Sequence, residues 1–212
     1  MKNKSVKYSV IDITLIAMFT ALLAICSWTS IQVGLVPVTL QTFAIFLIFG
    51  LLGSKRGTMA VLVYILLGLC GVPVFAGFGS TAKLLGPTGG YIIGFIFMGL
   101  VIWLGEFLFR KTNKKIKFIT NILFEIIGLL VCYAFGTVWF MIVMNGKGNP
   151  YTLVSALSVC VIPFLLPDLV KLVVSEILVL KLKQFVPKSY LEYKKEQKEL
   201  IEIDNQKEGL QA

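Results

Sequence analysis

The sequence predicts an all-α integral membrane protein, a bundle of six transmembrane helices with both termini in the cytoplasm. Three observations carry that expectation. The 212-residue chain is 57% apolar and only 15% charged, with a mean hydropathy of +0.88, outside the range of soluble domains. The apolar residues fall into runs near the roughly 20 residues needed to cross a hydrocarbon core. Lysine and arginine collect in alternate loops, as the positive-inside rule requires.

Residues 1–8 form a polar tail with Lys2, Lys4 and Lys7. The first span, 9–28, outlines a signal peptide. Its length, Asp12 near its start and the lack of a small-x-small cleavage site argue instead for a retained helix. Ala17 and Ala21, with Ala24 beyond, set small side chains on one face and let another helix approach closely. That helix can belong to this chain or to a second protein.

Further spans follow at 36–53, 57–73, 89–109, 118–144 and 153–182. Alternate connections carry Lys2, Lys4 and Lys7, then Lys55 and Arg56, then Arg110, Lys111, Lys114, Lys115 and Lys117, then Lys181 and Lys183. The intervening loops hold no basic residue, Lys83 alone and Lys147 alone. The asymmetry predicts six crossings, a transmembrane unit over 9–183 and a polar cytoplasmic tail over 184–212. A net charge of +9 would suggest nucleic acid in a soluble protein. Here the basic residues flank apolar spans and read as membrane anchoring, with lipid and not nucleic acid as the partner.

The last span holds the chain's main anomaly, Pro167-Asp168-Leu169-Val170-Lys171. An Asp or Lys at the centre of a spanning helix costs at least about 2.5 kcal/mol. Residues three apart share a helix face, so Asp168 and Lys171 turn together toward a neighbouring helix or a cavity. Pro163 and Pro167 remove backbone donors and weaken the helix beside them. Lys181 marks the inner end, which sets Lys171 roughly 15 Å and Asp168 roughly 20 Å above it, open to the external side.

Two external segments can complete a pocket. In 72–91, Phe75, Phe78 and Tyr91 offer ring surface, and Thr88 and the N–H groups from Gly89 onward can meet an anion at a helix N-terminus. The same glycines also suit a tight turn with no ligand. In 36–42, Gln41 brings an amide that serves a ligand or a helix-to-helix hydrogen bond equally well. Asp12, Glu106, Glu125 and Glu176 lie toward the basic loops, and pairing with Lys or Arg is expected for them.

Composition excludes several chemistries. The chain has no histidine, and its four cysteines, Cys26, Cys70, Cys132 and Cys160, stand singly in apolar runs. Inert packing is expected for them, with neither a metal nor a cofactor. No phosphate-binding G-x-x-x-x-G-K-[ST] loop is present, so the chain is not expected to be an ATPase or another enzyme.

Val38-Thr39-Leu40-Gln41-Thr42, Gly53-Ser54-Lys55-Arg56-Gly57, Val72-Pro73-Val74-Phe75-Ala76-Gly77, Leu84-Leu85-Gly86-Pro87-Thr88-Gly89-Gly90-Tyr91 and Pro167-Asp168-Leu169-Val170-Lys171 together resemble the BioY family. These are the biotin-binding S components of energy-coupling factor (ECF) transporters. The resemblance spans about residues 10–182. It implies a six-helix bundle in the bacterial cell membrane that captures biotin from outside. It also implies a transmembrane T component docked on Ala17 and Ala21, two cytoplasmic ATPase subunits, and Asp168 and Lys171 in the binding site. A different reading of the same charges is a proton-coupled or solitary carrier, with Asp168 as the protonated group.

Overall fold

The computed structural model describes residues 9–33, 36–110 and 112–186. The tail expected at 1–8, and all of the tail expected at 184–212 after residue 186, lie outside them. Among the described residues the chain is mostly helical, and five helical stretches are long and apolar enough to cross a membrane. Large apolar side chains cover the outward faces, for example Leu166, Val170 and Val173.

Helix α1, Val10–Trp28, starts where Asp12 accepts the Ser9 N–H at 3.1 Å. The other oxygen of Asp12 lies 3.5 Å from Arg56, the basic partner expected for it. The next element departs from an all-α chain. Strands β1, Ser30–Val33, and β2, Val36–Thr39, pair antiparallel, so the second helix begins at Gln41 and not at 36. Val36, Val38 and Thr39 are β-branched, and Pro37 is tolerated in a two-stranded ribbon but not inside a helix.

Helix α2, Gln41–Leu69, is interrupted at Gly53, whose φ of 74° and ψ of 176° are far from helical. A straight helix would place Gln41 and Tyr64 about 35 Å apart. Instead the Gln41 amide donates to the Tyr64 hydroxyl at 2.6 Å across 23 residues. The chain therefore doubles back at Gly53, and arms 41–52 and 54–69 pack side by side, Gly57 against Phe49. The basic loop expected at Lys55 and Arg56 is the first turn of the returning arm, and Arg56 is buried. Glu106 was expected to take a cation. It accepts instead from the Ser54 N–H at 2.8 Å and from the Ser54 hydroxyl, capping the positive end of that arm.

A short helix α3, Thr81–Leu84, follows within the glycine-rich loop. It leads into α4, Gly89–Leu108, and then α5, Lys114–Gly146. The pair α4 and α5 pack closely, with Gly94 against Cys132 and Gly136 beneath the ring of Tyr91. The last expected span is two helices, α6, Leu153–Cys160, and α7, Ile162–Leu182, extended by a short 3-10 turn at Lys183–Phe185. The break falls at Val161. Pro163 occupies the first turn of α7, where a missing N–H is harmless. Pro167 lies inside α7 without ending it.

Glu125 on α5 and Glu176 on α7 correct a second expectation. Both are buried and turned toward one another, with Asn121 donating to Glu125 at 3.0 Å. Lys183 is the basic group whose field reaches both.

Candidate functional site

A cavity of about 660 Å³, counting its open mouth, is enclosed by β2, the start of α2, the 76–88 loop and helices α4 to α7. Its polar centre is Asp168, which is 2% exposed. One carboxylate oxygen accepts from Lys171 Nζ at 2.7 Å and from the Thr42 hydroxyl at 2.7 Å. The other accepts from the Tyr133 hydroxyl at 2.5 Å. Lys171 also donates to Thr42 Oγ1 at 3.1 Å.

Local sequence explains this convergence. Asp168 and Lys171 are three residues apart on α7 and face inward together, while their neighbours Leu166, Leu169 and Val170 face outward. Thr42 stands in the first turn of α2 because the hairpin ends at Thr39. Tyr133 reaches in from α5, whose close seam with α4 fixes its height. A carboxylate offers about four acceptor positions. Three are used, so one remains for a guest donor.

The expected site residues divide. Thr88 and Tyr91 line the cavity with Asp168 and Lys171. The Tyr91 hydroxyl is held by Thr137 at 3.2 Å. Gln41 also lines it, but its amide is committed to Tyr64, and its oxygen accepts from Thr39 at 3.3 Å. Phe75 and Gly89 do not line it. The Phe75 ring is fully buried edge-on against Tyr64 at 5.1 Å, and Ala76 forms the wall instead. Gly89 lies under the Leu84 carbonyl, where an added Cβ would come within 1.6 Å. These two residues shape the loop behind the wall.

Sequence reasoning left out Tyr133, Thr42 and Lys83, all of which line the cavity. Thr42 stood in a motif already noted; Tyr133 carried no local signal. Cys132 and Cys160, expected as inert packing, form part of the wall as free thiols.

With this geometry in hand, three comparisons bear on the chain. The model of the BioY family matches residues 1–188. The biotin transporter BioY of Thermotoga maritima is 42% identical over 167 residues, 78% of this chain and 92% of that protein. The probable biotin transporter BioY of Pyrococcus horikoshii is 37% identical over 161 residues, 76% and 88% of the two chains. Among solved structures, the S-component for biotin from an ECF-type ABC transporter superposes with a TM-score of 0.69 at 28% identity. That match covers 87% of this chain and 95% of the other. A family model spanning almost the whole sequence, relatives aligned along most of their own length and a shared fold converge: this multi-pass membrane protein belongs to the BioY family.

Proposed function

We propose that the protein takes up biotin, binding it in the cavity from the external side and delivering it inward with an ATP-driven module. The observation that carries this reading is the Asp168 cluster, a buried carboxylate with one acceptor position left in the wall of a largely apolar cavity. Biotin presents ureido N–H donors on an apolar fused ring, and the names of the relatives point to the same vitamin. The chain acts as a substrate-binding subunit and not as an enzyme. Its sequence has no phosphate-binding loop, so the work of transport comes from partners: a T component and two ATPases. Ala17 and Ala21 stand on the uncovered face of α1, where a T-component helix can approach.

The topology that fits counts the two arms of α2 as separate crossings and α6 with α7 as one. Six passes over 9–183 then leave both termini in the cytoplasm.

Titration calorimetry of the purified protein with biotin, riboflavin and thiamine is the test. Stoichiometric heat with biotin alone is expected, and none with biotin would overturn the reading. Uptake in cells is expected to stop when the ATPases are removed; uptake that persists there and collapses with the proton gradient would favour a proton-coupled carrier. Tyr133→Phe removes the donor to one Asp168 oxygen and leaves the carboxylate held by Lys171 and Thr42 alone. Biotin affinity is expected to fall roughly tenfold, with a lowered melting temperature because a buried acceptor loses its donor.

A further inference from the structure

We propose that Lys83 recognises the carboxylate of an anionic ligand, so that the guest lies with its acid end under α3 and its ring end against Asp168. The proposal rests on the biotin reading above and adds an orientation and a specificity residue to it. Among the described residues three charged side chains line the cavity: Asp168, Lys171 and Lys83. The first two neutralise one another at 2.7 Å. The ammonium of Lys83 makes no hydrogen bond or ion pair among the described residues. The cavity therefore carries one uncompensated positive charge, which favours a guest with one negative charge.

Position supports the same assignment. Asp168 is 2% exposed and its Lys171 partner 11% at the side chain, whereas Lys83 is only half buried, on the loop over the cavity. The backbone that carries it is tied down on both sides. Thr81 donates to the carbonyls of Gly68 and Leu69, each at 3.2 Å, and Trp139 donates to the Gly86 carbonyl at 3.0 Å. The stem of Lys83 packs over Gly79, where an added Cβ would come within 2.9 Å. Only the ammonium end is free to adjust, which suits a compact, mobile point charge meeting a flexible acid tail. Asp168, already holding three donors, has room for one ureido N–H and repels a carboxylate.

The experiment compares biotin with its uncharged primary amide by calorimetry on the full-length wild type, Lys83→Met and Lys83→Arg. Wild type is expected to prefer biotin over the amide by about tenfold. Lys83→Met is expected to bind biotin about tenfold more weakly and the amide as before, erasing the preference, and Lys83→Arg to restore most of it. A preference that survives in Lys83→Met, equal losses for both ligands, or no preference in the wild type would overturn the role of Lys83 while leaving biotin binding intact. Failure of the wild type to bind either ligand would overturn the biotin reading itself.

Discussion

Replacing Asp168 with Asn is expected to weaken biotin binding by about 100-fold or more, the largest loss of any single substitution at the cavity. The side chain keeps its shape, so the loss comes from charge and donor pattern. Asp168 takes hydrogen bonds from Lys171, Thr42 and Tyr133 at 2.7, 2.7 and 2.5 Å. An amide NH₂ in place of one oxygen turns a donor toward groups that also donate. Truncating one member of a buried charged pair costs about 2 to 5 kcal/mol, much of it from the partner left without a counter-charge. Here that partner is Lys171, whose side chain is 11% exposed. Affinity and fold stability should therefore fall together in the single variant. The double variant Asp168→Asn/Lys171→Met separates them, because it removes the stranded ammonium. Its melting temperature should return toward wild type while biotin binding stays lost. Recovery of binding in the double variant would mean that Asp168 serves the fold and not the ligand.

The pair at the centre of this prediction is legible from spacing alone, since charge three residues apart in an apolar span has few places to go. Helix α4 is legible for a similar reason: Gly89 opens it and an apolar run interrupted by Glu106 alone follows to Leu108. Tyr133 is different. It approaches Asp168 from 35 residues away along the chain, and its neighbours in α5 look like any spanning helix. Only the packing of α5 against its neighbours sets which of its faces, and so whether Tyr133, points inward. Gln41 lines the cavity as expected but gives its amide to Tyr64, and the Phe75 ring packs edge-on against the same tyrosine behind the wall, because a buried amide and a buried ring take the nearest partners. Glu125 and Glu176 were expected to find cations by their nearness to basic loops. Helix rotation turned them inward, toward each other. One-dimensional distance to a lysine says nothing about helix face. The strand pair Ser30–Val33 and Val36–Thr39 was hidden by the hydropathy of Val36 and Val38, which suits a strand as well as a span.

Gly53→Ala tests the feature that turns one apparent helix into two arms, and a loss of about 2 to 4 kcal/mol in stability is expected. At φ 74° and ψ 176° Gly53 occupies a backbone region that residues with a Cβ avoid. The added methyl would also come within 3.1 Å of Glu106 Oε1, the oxygen that accepts the Ser54 N–H. Strain and a disturbed cap thus act at one point. Two controls separate them. Gly71→Ala also sets a Cβ at positive φ, 90°, with nothing within 4 Å of it, so it reports positive-φ strain without a contact. Glu106→Ala removes the cap and leaves the backbone free. Because Gly53→Ala and Glu106→Ala act on the same Ser54 contacts, their combined effect should be smaller than the sum. The reversal lies at the far ends of the two arms from Gln41 and Tyr64, so the protein that remains folded should bind biotin within about twofold of wild type. Thermal melting in detergent, followed by calorimetry below the transition, reads both quantities. A variant that melts like wild type would mean that the reversal does not depend on glycine. A variant that stays folded but binds poorly would mean that the pairing of the arms, and with it the seat of Thr42 against Asp168, depends on the turn.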